Sequence, residues 1–332
     1  MMAVSYAAIG RSSGPRRVRE TSSSSRFGRY ISVADLVALH AAARDIGFLS
    51  RQRTQSVLSS RRHRGSNLPP TSGVFGPLMS GDLSGADHRR RFGRSAADVT
   101  AYDETPPRPI FIVVDQRQCM FYGSRRSLKS VAAAEAAALC IWRALDDGAP
   151  IGGVVFNDAI IEAVEPSTGS SAAMAIIKAI AGQNAELRAR PAQPRAPSQL
   201  EKALRSERLE QASGSLIVVI SDFQGHGAHT RAALQKLAEA NEVVAVCAYD
   251  PYLLDLPKTG EIIVTGGEVQ IDLEFGQGRI RRRLFDYADA QAQGLLTIER
   301  EIGVPVLSLS AAEDTSLQMR RLLDENVWRV RQ

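Results

Sequence analysis

Residues 110–123 read IFIVVDQRQCMFYG, and this stretch decides the fold. It opens with an unbroken run of β-branched and aromatic residues at 110–114. A run this short and this apolar predicts a strand that is buried on both faces of a sheet. The strand ends on Asp115, and in an open α/β sheet ligands and metals bind just beyond the carboxyl ends of the strands. The stretch therefore predicts an α/β fold with a candidate site at Asp115.

Beyond this strand the chain alternates between β-rich runs and helical periodicity. A second fully apolar strand, within SLIVVISDF at 215–223, also ends on an aspartate, Asp222. Further strands are expected at 152–157, 159–166, 243–249 and 304–310, the second of them antiparallel, with a hairpin at 261–272. Helices are expected near 126–147, 171–182, 198–211, 228–240, 278–302 and 312–325. This alternation is typical of βαβ units and predicts a doubly wound sheet with helices on both faces.

The part of the chain before residue 109 is predicted to be organised differently. Residues 1–30 are rich in Arg and Ser and poor in apolar residues, which predicts a disordered basic arm. Residues 31–108 begin with Ser32 as an N-cap and one amphipathic helix, and continue as an irregular extension of loops and short strands. Residues 109–326 then form the α/β domain.

Charge is distributed unevenly along the chain. The net charge is +5, but residues 1–100 alone contain 16 Arg, no Lys and six acidic residues, so the remainder is net acidic. A basic segment of this kind is either a solvated arm or a docking surface for an acidic partner or nucleic acid. Nucleic acid is disfavoured, because no reading motif or aromatic platform accompanies the arginines.

Composition favours a cytoplasmic protein. Hydrophobic residues make up 44% and charged residues 23% of the chain, as in ordinary globular proteins. No apolar run approaches the ~20 residues of a membrane span, and the N-terminus lacks the apolar core of a secretory signal. Cys119, Cys140 and Cys247 are too widely spaced for a zinc pattern or a disulfide framework. Any position at the inner membrane is expected to depend on partners.

Four segments in the right order carry a resemblance to a known family. They are SGADHRRR at 84–91, VVDQRQCMFYGSRRSLKSVAAAEAAAL at 113–139, LIVVISDF at 216–223 and IGVPVLSLSAAED at 302–314. Together they resemble the bacterial domain-of-unknown-function family fifty-eight, a von Willebrand factor A-like family, over almost the whole chain from Ser32. The chain departs from the family pattern at 91–93, where Arg, Phe and Gly replace Ile-Asp-Trp.

The resemblance implies a metal-ion-dependent adhesion site in altered form. Asp115, Asp222 and Ser198 match the positions of its oxygen ligands, which would suit Mg²⁺. The usual Asp-x-Ser-x-Ser pattern is altered, however, because its two serine places hold Arg117 and Cys119. A thiol is a poor ligand for Mg²⁺. The favoured alternative is that Arg117 pairs with both aspartates and fills the place of the metal.

Other candidate sites are weaker. His226 and His229 follow Asp222 in the sequence GHGAH and could bind zinc, although a polar loop before a helix is the more ordinary interpretation. The segment GSRRSLK at 123–129 could bind an anion at a helix N-terminus, or could simply cap the helix through Ser127. The chain has no Gly-x-Ser-x-Gly elbow and no phosphate-binding loop.

These features favour a non-enzymatic protein-interaction module with no required cofactor. The resemblance implies an adaptor or assembly factor that works with a MoxR-type AAA+ ATPase and with other von Willebrand A-type proteins. Arg, Met and aromatic residues are enriched in interface cores. The predicted partner-binding residues are Arg117, Gln118, Met120, Phe121, Phe223 and His226. The alternative is a divalent-metal-dependent hydrolase or phosphoryl-binding enzyme that uses Asp115 and Asp222.

Overall fold

The computed structural model of the chain describes residues 30–47, 107–188, 196–251, 261–265, 270–274 and 293–323. The chain divides into two compact units, and all described residues belong to the unit formed by Met1–Arg51 and Pro107–Gln332. The predictions for the arm, for most of the extension and for the first half of the helix near 278–302 lie outside the described residues.

The described strands form one large and one small sheet. They are β1 (Ile110–Asp115), β2 (Ile151–Phe156), β3 (Ile161–Ser167), β4 (Leu216–Ser221), β5 (Glu242–Tyr249), β6 (Glu261–Thr265), β7 (Gln270–Glu274) and β8 (Val306–Ser310). The large sheet has the order β3-β2-β1-β4-β5-β8, and all its neighbours pair in parallel except β3 with β2. β6 and β7 pair antiparallel. The predicted strands, the antiparallel strand and the hairpin are confirmed.

The described helices lie on both faces of the large sheet. They are α1 (Val33–Ala38), α2 (His40–Ala43), α3 (Lys129–Asp146), α4 (Ser170–Glu186), α5 (Gln199–Leu204), α6 (Glu207–Glu210), α7 (Ala228–Ala240), α8 (293–302) and α9 (Thr315–Leu322). None of these helices combines the length and the apolar composition that a membrane crossing requires. A mixed α/β fold with a six-stranded sheet flanked by helices is therefore present.

The alternation of side chains along β1 explains its unbroken apolar sequence. Ile110, Ile112 and Val114 belong to the hydrophobic cluster formed with α1, α3, α4 and α9. Phe111 and Val113 belong to the cluster on the other face, formed with α5, α6, α7 and α8. Successive strand residues point to opposite faces, so a strand covered on both sides must be apolar at every position.

Residues 30–47, the N-terminal segment, pack along α3 and α4. Ser32 caps α1, as the sequence predicted, and the structure adds a capping box with Asp35. The single predicted helix is divided at Leu39. The indole Nε1 of Trp142 donates to a carbonyl of α1 at 2.8 Å. The ring of His40 stacks on Trp142, and its Nε2 lies 2.8 Å from the Asp146 carboxylate at the last turn of α3.

Two helices differ from their predicted bounds for local reasons. α3 begins at Lys129 because residues 123–128 first pack against the end of β8. Ser127 is not its cap: the Ser127 hydroxyl and amide both donate to the Ala311 carbonyl, at 3.0 and 3.1 Å. The predicted helix at 198–211 is divided into α5 and α6 at Ser206, whose backbone is extended.

Candidate functional site at the strand ends

Two aspartates lie at the carboxyl edge of the large sheet, the edge at which its parallel strands end. Asp115 is the last residue of β1, and Asp222 follows β4 directly. Because β1 and β4 are adjacent and pair Val114 with Ile220, the two carboxylates reach the same point. Asp115 is fully buried, and the side chain of Asp222 is 6% exposed.

Arg117 lies between the two aspartates and binds the first of them. Its Nη2 lies 2.7 Å from Asp115 Oδ2, and its Nε lies 3.0 and 3.1 Å from the two carboxylate oxygens. The Arg117 amide and the Ser221 hydroxyl donate to the same carboxylate at 2.9 and 2.6 Å. Nη2 is also 3.8 Å from Asp222. Both oxygens of Asp115 are thus held by donors of the protein itself.

The other donors of Arg117 are used as well. Its Nη1 donates to the carbonyls of Pro197 and Gln224, each at 3.2 Å, and the guanidinium lies 5.6 Å from the centre of the Phe156 ring. The side chain is only 2% exposed. A guanidinium suits this place because its planar fork can bind a carboxylate bidentately while its face contacts an aromatic ring.

Asp222 has a second cation, Lys129. The Lys129 Nζ lies 2.6 Å from Asp222 Oδ2, while Oδ1 accepts from the Gln224 amide at 2.9 Å and lies 3.4 Å from Cys119 Sγ. Lys129 is the first residue of α3, the helix that follows β1, so the chain returns it to the carboxyl edge. Asp115, Arg117, Cys119, Lys129 and Asp222 are called the strand-end site below.

The ion pairs outweigh the cost of burying their charges. Burial alone would raise the pKa of Asp222, but Lys129, Arg117 and two hydrogen bonds bring that pKa below its ordinary value. Burial alone would lower the pKa of Lys129, but the Asp222 carboxylate raises it. Burial and then Asp222 raise the pKa of the Cys119 thiol well above its usual range. At neutral pH the Lys129–Asp222 pair is therefore charged and the Cys119 thiol is neutral.

The ligand atoms of the implied metal are close together but do not fit a divalent cation. Asp115, Cys119 and Asp222 place candidate ligand atoms within 4.8 Å of one another. Both carboxylates, however, are paired with cations of the protein, and a neutral thiol does not bind Mg²⁺ well. Ser198, the third predicted oxygen ligand, is exposed, and its side chain makes no capping bond at the start of α5. The geometry matches the alternative in which Arg117 takes the place of the metal.

The predicted partner-binding side chains lie mostly beneath the surface. Met120 and Phe223 are fully buried, and Arg117, Gln118 and Phe121 are at most 8% exposed. Burying a Met or Phe side chain contributes roughly 1.5–3 kcal/mol, so a short turn beside the core directs such residues inward. These five side chains therefore support the carboxyl edge from below and do not form its outer surface, and their part in partner binding stays a prediction.

The two histidines are not arranged as a zinc pair. The Nδ1 of His226 lies 2.7 Å from the Phe223 carbonyl, and the half-buried ring packs so closely on Gly294 that a Cβ there would overlap it. His229 is exposed in the first turn of α7. Phe223 itself has φ 53°, in the left-handed region that non-glycine residues seldom adopt. Backbone strain of this kind clusters at functional sites, and here it lies directly after Asp222.

Segment 123–129 is not an anion site but part of the charge network. Lys129 binds Asp222, and Arg126 donates to the Asp314 carboxylate at 2.7 Å. The Ser124 amide and hydroxyl donate to Asp250 at 2.7 and 2.6 Å. Arg126 and Lys129 of this segment therefore pair with acidic groups of the same chain.

Sequence reasoning missed three polar residues that position this edge. Gln116, fully buried, accepts from the Asn184 amide at 2.8 Å and donates to a carbonyl in the first turn of α3 at 3.1 Å. Asp158 accepts from the backbone amides of Gln118 and Ala196 at 2.6 and 2.7 Å. The positions of Gln116 and Asp158 could have indicated a role at this edge, because each follows a strand that ends there. Nothing in the sequence pairs Gln116 with Asn184.

A comparison with family models gives one match to most of the chain. The model described as "Protein of unknown function DUF58" matches residues 97–294. Uncharacterized protein Rv1480 of Mycobacterium tuberculosis is 27% identical over 211 residues, which cover 61% of this chain and 62% of that protein. Uncharacterized protein Mb1516 of Mycobacterium bovis gives the same identity and coverage. The chain thus spans about 62% of the length of the curated relatives it matches.

Solved structures give weaker likenesses. Conserved hypothetical protein BatB from Bacteroides thetaiotaomicron is 14% identical with a TM-score of 0.40, covering 67% of this chain and 99% of that one. An aerotolerance-related membrane protein from Bacteroides fragilis is 14% identical with a TM-score of 0.39, covering 66% and 98%. At these values neither structure supports an argument about function.

Proposed function

This chain belongs to the DUF58 family of proteins of unknown function, and we propose that it is a non-enzymatic protein-interaction module that binds its partner without a metal ion. The binding face is the carboxyl edge of the sheet. The partner is a MoxR-type AAA+ ATPase, with other von Willebrand A-type proteins in the same assembly. The identity of the partner rests on the family resemblance and not on the geometry of the site.

One observation carries the proposal: the charges of the strand-end site are balanced inside the chain. Asp115 is bound bidentately by Arg117, and Asp222 is bound by Lys129 at 2.6 Å. A divalent cation would have to displace two buried cations from their carboxylates, and breaking a buried pair typically costs roughly 3–5 kcal/mol. An edge built in this way has a permanent shape that does not depend on metal supply.

The potential nucleophiles at this edge are poorly placed for catalysis. The Ser221 hydroxyl is fully buried, donates to Asp115 and accepts from the Phe223 amide at 2.9 Å. Nucleophilic cysteines need a lowered pKa, whereas the pKa of Cys119 is raised. Both groups act here as structural donors, which favours binding over chemistry.

The proposal is tested by measuring partner binding with and without metal. The full chain is titrated with the MoxR-type ATPase of the same organism, once in EDTA and once in millimolar Mg²⁺. In both series the ATPase is added with its nucleotide already bound. Equal affinity in the two series is expected. Binding that requires free Mg²⁺, and that is lost in Asp222→Asn, would contradict the proposal and favour the metal-dependent hydrolase or phosphoryl-binding alternative.

A further inference from the structure

The two helices of the N-terminal segment depend on packing against the rest of the domain. α1 has six residues and α2 has four, whereas isolated helices shorter than about 12–15 residues are marginal in water. Leu36 and Ala43 are fully buried, and Ile46 is 2% exposed in the same hydrophobic cluster as α3 and α4. We therefore expect the segment to be docked or released as one unit, because neither helix is stable without these contacts.

The start of the segment is bonded to the C-terminal end of α4. The Ile31 amide donates to Asn184 Oδ1 at 3.0 Å, and the Tyr30 hydroxyl donates to the Leu187 carbonyl at 2.8 Å. The Tyr30 ring lies 5.8 Å from the ring of Phe121. Because Asn184 is fully buried, its oxygen has no solvent to replace the Ile31 amide if the segment leaves.

Gln116 links Asn184 to both halves of the strand-end site. Its Oε1 accepts from Asn184 Nδ2 at 2.8 Å, and its Nε2 donates to the Ser130 carbonyl at 3.1 Å. Gln116 directly precedes Arg117, and Ser130 directly follows Lys129. Each of these two cations binds an aspartate of the strand-end site. A single buried side-chain pair, Asn184 with Gln116, therefore joins the N-terminal segment to that site.

Gln118 makes a second contact between the same two regions. Its Nε2 donates to the Arg188 carbonyl at the end of α4, at 2.6 Å. Residues 184–188 thus contact both the N-terminal segment and residues 116–118. In a buried network of this kind every member is bonded, and loss of one member leaves the others unpaired. The arrangement of the network should therefore depend on whether the segment is docked.

We propose that the N-terminal segment is a regulatory element of the carboxyl edge. While docked, it holds Asn184 and Gln116 in one arrangement, and so fixes residues 116–122 and the first turn of α3. When released, it leaves Asn184 Oδ1 without its donor and loosens the strand-end site. A molecule that draws the segment away would change the proposed partner face without contacting it. The coupling is a property of the chain alone, so its test requires no partner.

The native cysteines report the two relevant kinds of opening. Cys119 belongs to the strand-end site and is partly buried, whereas Cys247 is 8% exposed in β5, within the sheet. The full chain is treated with iodoacetamide at constant pH, and the labelling rate of each cysteine is followed by mass spectrometry of its peptides. Amide hydrogen exchange of residues 30–47 in the same samples shows whether the segment is docked.

The segment is released by a substitution far from the strand-end site. Leu36 contacts α3 at Trp142, 13 residues after Lys129 and therefore about 20 Å along the helix. Leu36→Asp should accelerate amide exchange throughout residues 30–47. It should also accelerate labelling of Cys119 by about tenfold, a factor typical of coupled sites, and leave Cys247 unchanged. Leu36→Ala should give the same pattern with smaller changes, and it is the variant to use if Leu36→Asp does not fold.

Substitutions in α4 distinguish coupling through Asn184 from general loosening. In the Asn184→Leu background, Leu36→Asp should add little to the labelling of Cys119, because the link is already broken. Gln183→Leu is the matched control. It removes a neighbouring buried amide that bonds the Val155 carbonyl and Glu162, and it should leave the labelling of Cys119 at the parent rate.

Four results would overturn the proposal. Parent-like labelling of Cys119 in a variant whose segment exchanges freely would show that the two regions are not coupled. Equal acceleration at Cys119 and Cys247, or persistent protection of residues 30–47 in Leu36→Asp, would show that the segment does not open separately from the sheet. An undiminished effect of Leu36→Asp in the Asn184→Leu background would show that Asn184 does not transmit it.

Discussion

The two edges of the large sheet carry contacts between a basic and an acidic side chain that differ in burial. At the carboxyl edge, the Arg117–Asp115 pair is almost completely buried, with side chains 2% and 0% exposed. At the other end of α3, the His40–Asp146 pair has side chains 37% and 26% exposed, at a similar distance of 2.8 Å. Equal distances therefore do not mean equal energies, because the surrounding dielectric decides the strength of each pair.

The comparison indicates what each pair contributes. An exposed pair can lose one partner to water at little cost. A buried pair cannot, because removing one member leaves a charge without solvent or counterion. The buried pairs set the shape of the carboxyl edge, whereas the pair at the opposite edge only supports the docking of α2.

The largest effect is expected for Arg117→Ala. The substitution leaves the fully buried Asp115 without its cation and removes two bonds to backbone carbonyls. The free energy of unfolding should fall by about 3–5 kcal/mol. Urea denaturation at neutral pH measures this change. The control is Arg208→Ala, which removes one member of the exposed Arg208–Glu165 pair of the same domain. A loss no greater than that of the control would mean that water reaches Asp115.

A smaller loss is expected for Lys129→Met, which keeps the length of the side chain but removes its charge. A hydrogen bond to a charged group contributes roughly 1.5–3 kcal/mol, and Lys129 makes one at 2.6 Å to Asp222. The loss should be smaller than for Arg117→Ala, because Asp222 keeps the Gln224 amide and the nearby guanidinium. A variant as stable as the parent would show that burying Lys129 costs as much as its ion pair contributes.

The same pair defines a pH dependence. The pKa of Asp222 is lowered in the folded state, so its contribution is present above the unfolded value of about 4 and is lost as pH falls through the folded value. The pKa of Lys129 is raised, so its contribution is present below about 10.4 and is lost as pH rises through the folded value. Stability from this pair should be flat between these limits. In Lys129→Met the free energy of unfolding should decrease less between pH 7 and pH 3 than it does in the parent. Urea denaturation at the two pH values measures this.

Introducing the Asp-x-Ser-x-Ser pattern that the resemblance implies should create a dependence of stability on Mg²⁺ that we do not expect in the parent. The double substitution Arg117→Ser and Cys119→Ser gives Asp-x-Ser-x-Ser and frees Asp115. A free ligand at ten times its Kd raises the free energy of unfolding by about 1.4 kcal/mol. The double variant should gain about this much when Mg²⁺ is present at ten times its Kd. The free energy of unfolding of the parent should not change. Cys119→Ser alone is the control and should not respond. A parent that responds to Mg²⁺ as the double variant does would show that Arg117 does not exclude the metal.

The smallest effect is expected at the opposite edge. Asp146→Asn removes the partner of His40 and of Arg44, which is 71% exposed. Exposed pairs contribute about 0–1 kcal/mol, so the free energy of unfolding should change by less than 1 kcal/mol. Fluorescence of Trp142, which stacks on His40, reports whether α2 remains docked. A loss comparable to that of Arg117→Ala would remove the distinction between the two edges.

Some residues of the strand-end site could be predicted from the sequence, and others could not. Asp115 and Asp222 were placed at the carboxyl edge because each follows an apolar run long enough for one buried strand, and strand ends are readable from such runs. Lys129 and Gln116 were not assigned their roles. A lysine at a helix start and a glutamine in a turn have no periodicity, and their partners lie 93 and 68 residues away.

By itself, the sequence determined the α/β class, the antiparallel β3, the position of the two aspartates and the presence of Arg117 and Cys119 just after the first of them. Only the tertiary structure decided that Arg117 closes onto Asp115, that Lys129 returns to Asp222, and that Met120 and Phe223 turn inward while Tyr30 remains exposed. The reason is physical. Strand and helix patterns follow from local periodicity, whereas the direction of a loop side chain depends on which distant groups can bury or neutralise it.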